Sequence, residues 1–233
     1  MSLTAAIAEA LSLLLHGDAA LWRIIALSLK TVLSALLLAT PLALGAAYWI
    51  ACSRFPGRRG LIWLAQAALA MPTVLVGLLL YMLLSRHGPW GSLGWLFDPA
   101  GMILGQALIA FPVLLAFCIS ALQACDVRLG ETARVLGASR WRVMATLIFE
   151  ARFGVMAAMV NGFGRVISEV GCAMMVGGNI LDHTRTITTA IALETAKGEF
   201  ARGIALGLVL MLTALLINAA LLLLQGEGQP EAT

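Results

Sequence analysis

The chain of 233 residues is 61% apolar and only 12% charged, about half the charged share of a soluble domain. Too few polar side chains exist to coat a water-facing surface, so lipid must act as much of the solvent. A net charge of +3 without a basic stripe interleaved with aromatics gives nucleic acid no footing.

Metal and catalytic patterns are missing as well. Cys52, Cys118, Cys125 and Cys172 form no CxxC pair, and His16, His87 and His183 stand isolated, with no HExxH or two-His-one-carboxylate spacing. The cysteines read as small apolar residues, and no metal site is expected. No GxxxxGK[ST] loop occurs, so the chain does not hold ATP by that device.

Residues 1–18 contain no Lys or Arg, so the positive start of a cleaved signal peptide is missing. Leu3, Ile7, Ala10, Leu11, Leu14 and Leu15 recur at helical spacing, which predicts a surface-lying amphipathic segment over 1–20. Crossing the hydrocarbon core takes about 20 apolar residues. Five stretches qualify: 21–52 with Pro41 and Gly45, 61–84 with Met71-Pro72, 101–125 with Phe111-Pro112, 153–176 and 201–224. The expected fold is therefore an all-α integral membrane protein of about five transmembrane helices, 21–225, with a short tail at 226–233. A proline inside a span is either a plain kink or a bend around a cavity. Asn218, in the last span, is expected to bond a neighbouring helix.

Orientation follows from basic residues. Arg54, Arg58 and Arg59 lie in one break; Arg128, Arg134, Arg140, Arg142 and Arg152 lie in another on the same side. Placing both in the cytoplasm puts the N-terminus outside and the C-terminus inside.

The loop 126–152 is too polar to span but too patterned to be slack. Ala124 to Leu136 reads as a helix continuing from the third span, and Gly137 breaks it. Ser139 caps a second helix with an apolar stripe of Trp141, Met144, Leu147 and Ile148. Such a hinged pair makes a rigid knob that can transmit force.

Glu131-Thr132-Ala133, then three residues and Gly137, followed by Ala138-Ser139-Arg140-Trp141-Arg142, resembles the EAA loop of permease subunits of binding-protein-dependent ABC importers. The resemblance implies a type I importer permease fold in the bacterial inner membrane. It also implies a coupling helix that docks on a cytoplasmic ATPase dimer through Glu131, Thr132, Ala133, Gly137, Ala138 and Ser139. ATP and Mg would then belong to that partner, with no cofactor on this chain. The pattern departs from many members at Thr132, where they have Ala, and at Phe149-Glu150, where they have Leu-Pro. Arg165 to Gly171 and Val176 to Ile180 look like oxyanion permeases for sulfate, molybdate and tungstate. Thr188 to Thr195, with Phe149-Glu150-Ala151-Arg152, is similar to the tungstate type. A periplasmic oxyanion-binding protein is implied as a partner. Five spans enclose little volume, so a homodimer with the path at its interface is expected.

Within the fourth span, Arg165 and Glu169 share one helix face. They are either part of the path or a neutralised structural pair. A dianion that must be released needs weak, distributed contacts. Ser168, Gly171, Gly177, Gly178, Asn179, Thr184, Arg185 and Thr188 could supply them as an outer gate, or could form an ordinary turn and interfacial helix. A membrane enzyme has no nucleophile–base constellation to support it. A stand-alone channel or secondary transporter would leave the rigid loop without purpose.

Overall fold

The computed structural model describes residue 12 and residues 19–53 and 55–225. Apart from Ser12, the predicted segment before residue 19 lies outside the described residues, as do Arg54 and the tail 226–233.

All described regular structure is helical. Helix α1, Ala19–Cys52, runs unbroken through Pro41 for 34 residues, about 50 Å. Its buried face is built from small residues: Ser28, Thr31, Ala35, Ala39, Ala43 and Ala47. Small side chains at this spacing let two backbones approach in lipid, where packing replaces the hydrophobic drive. The partner is α4, Pro99–Ala124, the most enclosed of the three long apolar helices. Asp98 caps α4 by accepting the Ala100 amide at 2.9 Å, Pro99 takes a position that needs no N–H donor, and Pro112 leaves the helix continuous.

The predicted span 61–84 is not one helix. It is α2, Arg58–Ala67, a 3-10 turn at Ala68–Ala70, and α3, Thr73–Leu84, with a 94° bend at the break. Pro72 has no amide proton and disfavours the helical conformation for the residue before it. Met71 is accordingly extended (φ −62°, ψ 128°). At the start of α2, Arg58 donates to the carbonyls of Ile50 (2.8 Å) and Ala51 (2.9 Å) and so closes the end of α1.

The predicted helix from Ala124 to Leu136 also begins anew. Cys125 is extended, and Asp126 caps α5, Val127–Val135, through the Arg128 amide at 2.9 Å. Next come α6, Arg140–Glu150, and α7, Arg152–Ile167, with 70° between them. The predicted span 153–176 is interrupted at 168–170, beyond which α8 covers Gly171–Gly177. Helices α9, Ile187–Lys197, and α10, Phe200–Gln225, complete the chain. Among the described residues three helices, α1, α4 and α10, are long and apolar enough to cross a membrane alone. The count reaches five if each bent pair, α2–α3 and α6–α7, is one span. Asn218 is exposed and donates to Ala214 in its own helix at 2.8 Å, not to a neighbour.

Helix α8 is wedged against α3 and α4. A Cβ on Gly77 of α3 would lie 2.8 Å from the Cys172 Cα, and one on Gly105 of α4 would lie 2.6 Å from the Cys172 Sγ. Glycine at both positions is what allows this short helix to sit inside the bundle.

Candidate translocation and coupling sites

The break after α7 is organised by one carboxylate. Glu169 is 4% exposed. Its Oε2 takes Arg165 Nη1 at 3.3 Å, and its Oε1 accepts the Cys172 amide at 3.0 Å, in the first turn of α8. A negative charge at that helix start is favoured by the peptide dipoles. Its backbone carbonyl accepts the Thr188 hydroxyl at 2.8 Å, so α7, α8 and α9 meet at this residue. Arg165 differs from its partner in being 39% exposed on its side chain, against 3% for Glu169.

Arg165 also lines a small cavity of about 10 Å³, bordered by Met71, Thr73, Ile109 and Pro112. That space suits about one water. Here the broken second span, the proline of α4 and the cation of α7 converge. Sequence reasoning named Arg165 but not Met71 or Thr73. The signal was Met71-Pro72 inside an apolar run, since interrupted membrane helices mark binding sites in transporters.

The remaining polar residues of the predicted gate form a second cluster. Asn179, at φ 53°, accepts from Arg185 Nε on Oδ1 (3.2 Å) and from Arg185 Nη2 on its backbone oxygen (3.3 Å); its Nδ2 donates to Thr189 (3.3 Å). Thr184 is fully enclosed. Its hydroxyl donates to the Gly177 carbonyl and accepts the Ile180 amide. Thr186 and Thr189 form a capping box on α9, and Thr188 is 6% exposed beside them. The hydroxyls of Thr184 and Thr188 thus serve the fold. That of Ser168 turns back to Gly164 (2.8 Å) and Arg165 (3.3 Å) of its own helix. Gly171 packs on Val74, Gly177 on Met102, and Gly178, at φ 68°, on the ring of Phe97. Arg165, Glu169, Gly171 and Thr188 are brought together; Gly177, Gly178, Asn179, Thr184 and Arg185 form the neighbouring knot.

The loop between α4 and α7 is a built object. Gly137 sits at φ 82°, a conformation that disfavours a side chain, and the Ser139 hydroxyl accepts the Arg142 amide at 3.5 Å. Glu131, Thr132 and Ser139 are exposed, whereas Ala133 and Ala138 pack on the core. The inward face of α6 is Val143 and Leu147, with Met144 and Ile148 half-buried; of the predicted stripe only Trp141, 76% exposed, faces away. Spacing alone allowed either face. The i,i+4 pair Val143 and Leu147 lies against the core, with α5 packed beside it at Gly130 at ordinary contact distance. Val135, Leu136, Trp141 and Phe149 are left as large exposed apolar side chains, of the kind that mark a contact with another protein or with a membrane. Beside them, Glu131, Arg134, Asp126, Arg58 and Cys52 border a cavity of about 490 Å³.

A helical bundle with interrupted spans and a rigid, apolar-tipped pair of helices has the form of a membrane-embedded transport component. The chain belongs to the family described as binding-protein-dependent transport system inner membrane component, which matches residues 39–226. It is 43% identical over 164 residues to the tungstate uptake system permease protein TupB of Campylobacter jejuni, covering 70% of this chain and 69% of that protein. It is 35% identical to TupB of Peptoclostridium acidaminophilum, over 94% of this chain and 96% of that protein. A crystal structure of an amino acid ABC transporter with histidines superposes with a TM-score of 0.64 at 16% identity, over 92% of this chain and 96% of that one. At that identity the likeness establishes the fold alone.

Proposed function

We propose that this chain is the permease subunit of an ATP-driven tungstate importer. It works as a homodimer with a cytoplasmic ATPase dimer, which binds ATP and Mg, and with a periplasmic oxyanion-binding protein. Its N-terminus faces outside and its C-terminus the cytoplasm. The observation that carries the reading is the meeting of the Met71–Thr73 break with Arg165, in a chain related to two tungstate permeases.

Transport needs release of the anion as much as its capture. A dianion passing a bare arginine in a dry site would be held. Here Glu169 neutralises much of Arg165, and the partly exposed guanidinium retains only a weak pull. The first turn of α3 has no side-chain cap, so its amides add partial positive charge at the same level. Attraction of this kind guides a tetrahedral oxyanion without trapping it. The residues from Gly177 to Thr188 form the outer gate, held in shape by their own hydrogen bonds. On the cytoplasmic side, Glu131 to Ser139 and the exposed Trp141 form the coupling surface for the ATPase.

The test is reconstitution of the permease, its ATPase and its binding protein in proteoliposomes, with labelled tungstate and competing molybdate or sulfate. ATP-dependent tungstate uptake that survives excess sulfate supports the reading. Uptake without ATP or partners, or uptake of sulfate in preference, overturns it.

A further inference from the structure

A cavity of about 320 Å³, which shares Arg185 with the gate cluster, is bordered by the first turns of α1, by α9 and by the first turns of α10. One wall is apolar, with Leu21, Ile24 and Leu206; the other carries Arg185, Glu194, Lys197 and Arg202. Three cations face one carboxylate, so the cavity calls for an anionic group. Yet Glu194 is 7% exposed, and only its Oε1 is engaged, by Lys197 Nζ at 3.2 Å. Its Oε2 is buried with no hydrogen-bond partner among the described residues. A buried carboxylate oxygen left unpaired is costly, and it asks for an N–H or O–H donor.

An occupant must therefore carry an anion and a proton donor together, and it must tolerate an apolar wall. Tungstate meets the cations but brings a donor-free dianion against Glu194. A quaternary ammonium offers no N–H, and a glycerol hydroxyl donates to a carboxylate without the added attraction of a positive charge. Beyond the cavity, α10 continues with Met211, Leu212, Leu215 and Leu216 more than half exposed, and only 22% of its apolar window is buried. That unburied apolar face suits acyl chains. We propose that this cavity binds the headgroup of a primary-amine phospholipid, of the ethanolamine type. The phosphate sits among Arg185, Lys197 and Arg202, the ammonium pairs with the Glu194 carboxylate, which turns its enclosed Oε2 toward the cavity to meet it, and the acyl chains lie along α10. The site is independent of which oxyanion the protein carries.

Delipidated full-length protein in detergent, titrated with phosphatidylethanolamine, phosphatidylcholine and phosphatidylglycerol and read by native mass spectrometry, tests the assignment. The ethanolamine lipid binds about tenfold more tightly than the other two, the scale of one charge-assisted hydrogen bond. Glu194→Gln abolishes that preference. Arg202→Gln, at an exposed position and so compatible with folding, weakens ethanolamine and glycerol lipids alike. Equal binding of choline and ethanolamine lipids overturns the proposal, as does an unchanged preference in Glu194→Gln. Displacement of the lipid by millimolar inorganic phosphate or tungstate also overturns it, in favour of a free-oxyanion site.

Discussion

Arg165, in the last turn of α7, holds Glu169, just beyond the helix end, at 3.3 Å, and the two are buried very unequally: the carboxylate is enclosed while the guanidinium keeps an open edge. The pair is thus a structural anchor on one side and an accessible cation on the other. Those two roles separate on mutation.

Arg165→Ala strands Glu169 as an unpaired buried charge. Full burial of both partners would make this loss about 3–5 kcal/mol. The open edge of Arg165, together with the Cys172 amide that remains on Glu169, brings it to about 2 kcal/mol. Arg165→Met combined with Glu169→Gln recovers most of that stability and still transports poorly, because the cation is gone. Thermal unfolding in detergent, set beside tungstate uptake, checks both statements. Full uptake by the double variant would remove Arg165 from the path.

Close packing of α8 sets an order among its glycine contacts. In Gly77→Ala the new methyl meets the backbone of Cys172, which cannot step aside, whereas in Gly177→Ala it meets the Met102 side chain at 2.7 Å, which can re-orient. Overpacking costs about 1–3 kcal/mol, so Gly77→Ala lies near the top of that range and Gly177→Ala below it. Melting temperatures of the two variants give the order directly.

Thr184 makes a similar point about the gate. Thr184→Val removes both the donor to Gly177 and the acceptor for the Ile180 amide, leaving buried backbone groups unpaired at about 1–3 kcal/mol. Amide hydrogen exchange across residues 177–186 rises in this variant. Unchanged protection there would show that the turn does not depend on the hydroxyl.

At the coupling surface, Trp141→Ala leaves insertion and melting intact, because the ring is 76% exposed. It lowers retention of the ATPase by about thirtyfold, the scale of an aromatic hot spot. Gly137→Pro fails differently: proline is locked near φ −65° and cannot adopt the +82° found there. The two helices lose their relative angle, and ATP hydrolysis continues without uptake. Copurification and coupled assays separate the two effects, and Glu131→Lys is expected to join the uncoupled class.

The native cysteines report orientation. Cys52 is exposed at the end of α1 while Cys118 and Cys172 are buried. With Cys125 replaced by Ser, a membrane-impermeant maleimide labels Cys52 in inside-out vesicles and leaves right-side-out vesicles unlabelled. The opposite result would reverse the assigned topology.

The amino-acid order by itself determined the membrane class and the apolar stretches, because both follow from local sums: hydropathy over a helix length and charge in the breaks. It also determined the hinge at Gly137 and the cap at Ser139, each a matter of a few neighbouring residues. Glu131 to Ser139 were legible for the same reason. Tertiary structure decided everything that depends on which atoms meet across the bundle. Met71 and Thr73 reach Arg165 only because Pro72 bends the second span by 94°. Trp141 faces out only because Val143 and Leu147 claimed the inner face. In sequence the hydroxyls of Thr184 and Thr188 fit a gate or an ordinary turn equally well; in the fold nearby carbonyls and amides claim them. A buried polar group is bound by whatever surrounds it in space, and no local pattern carries that information.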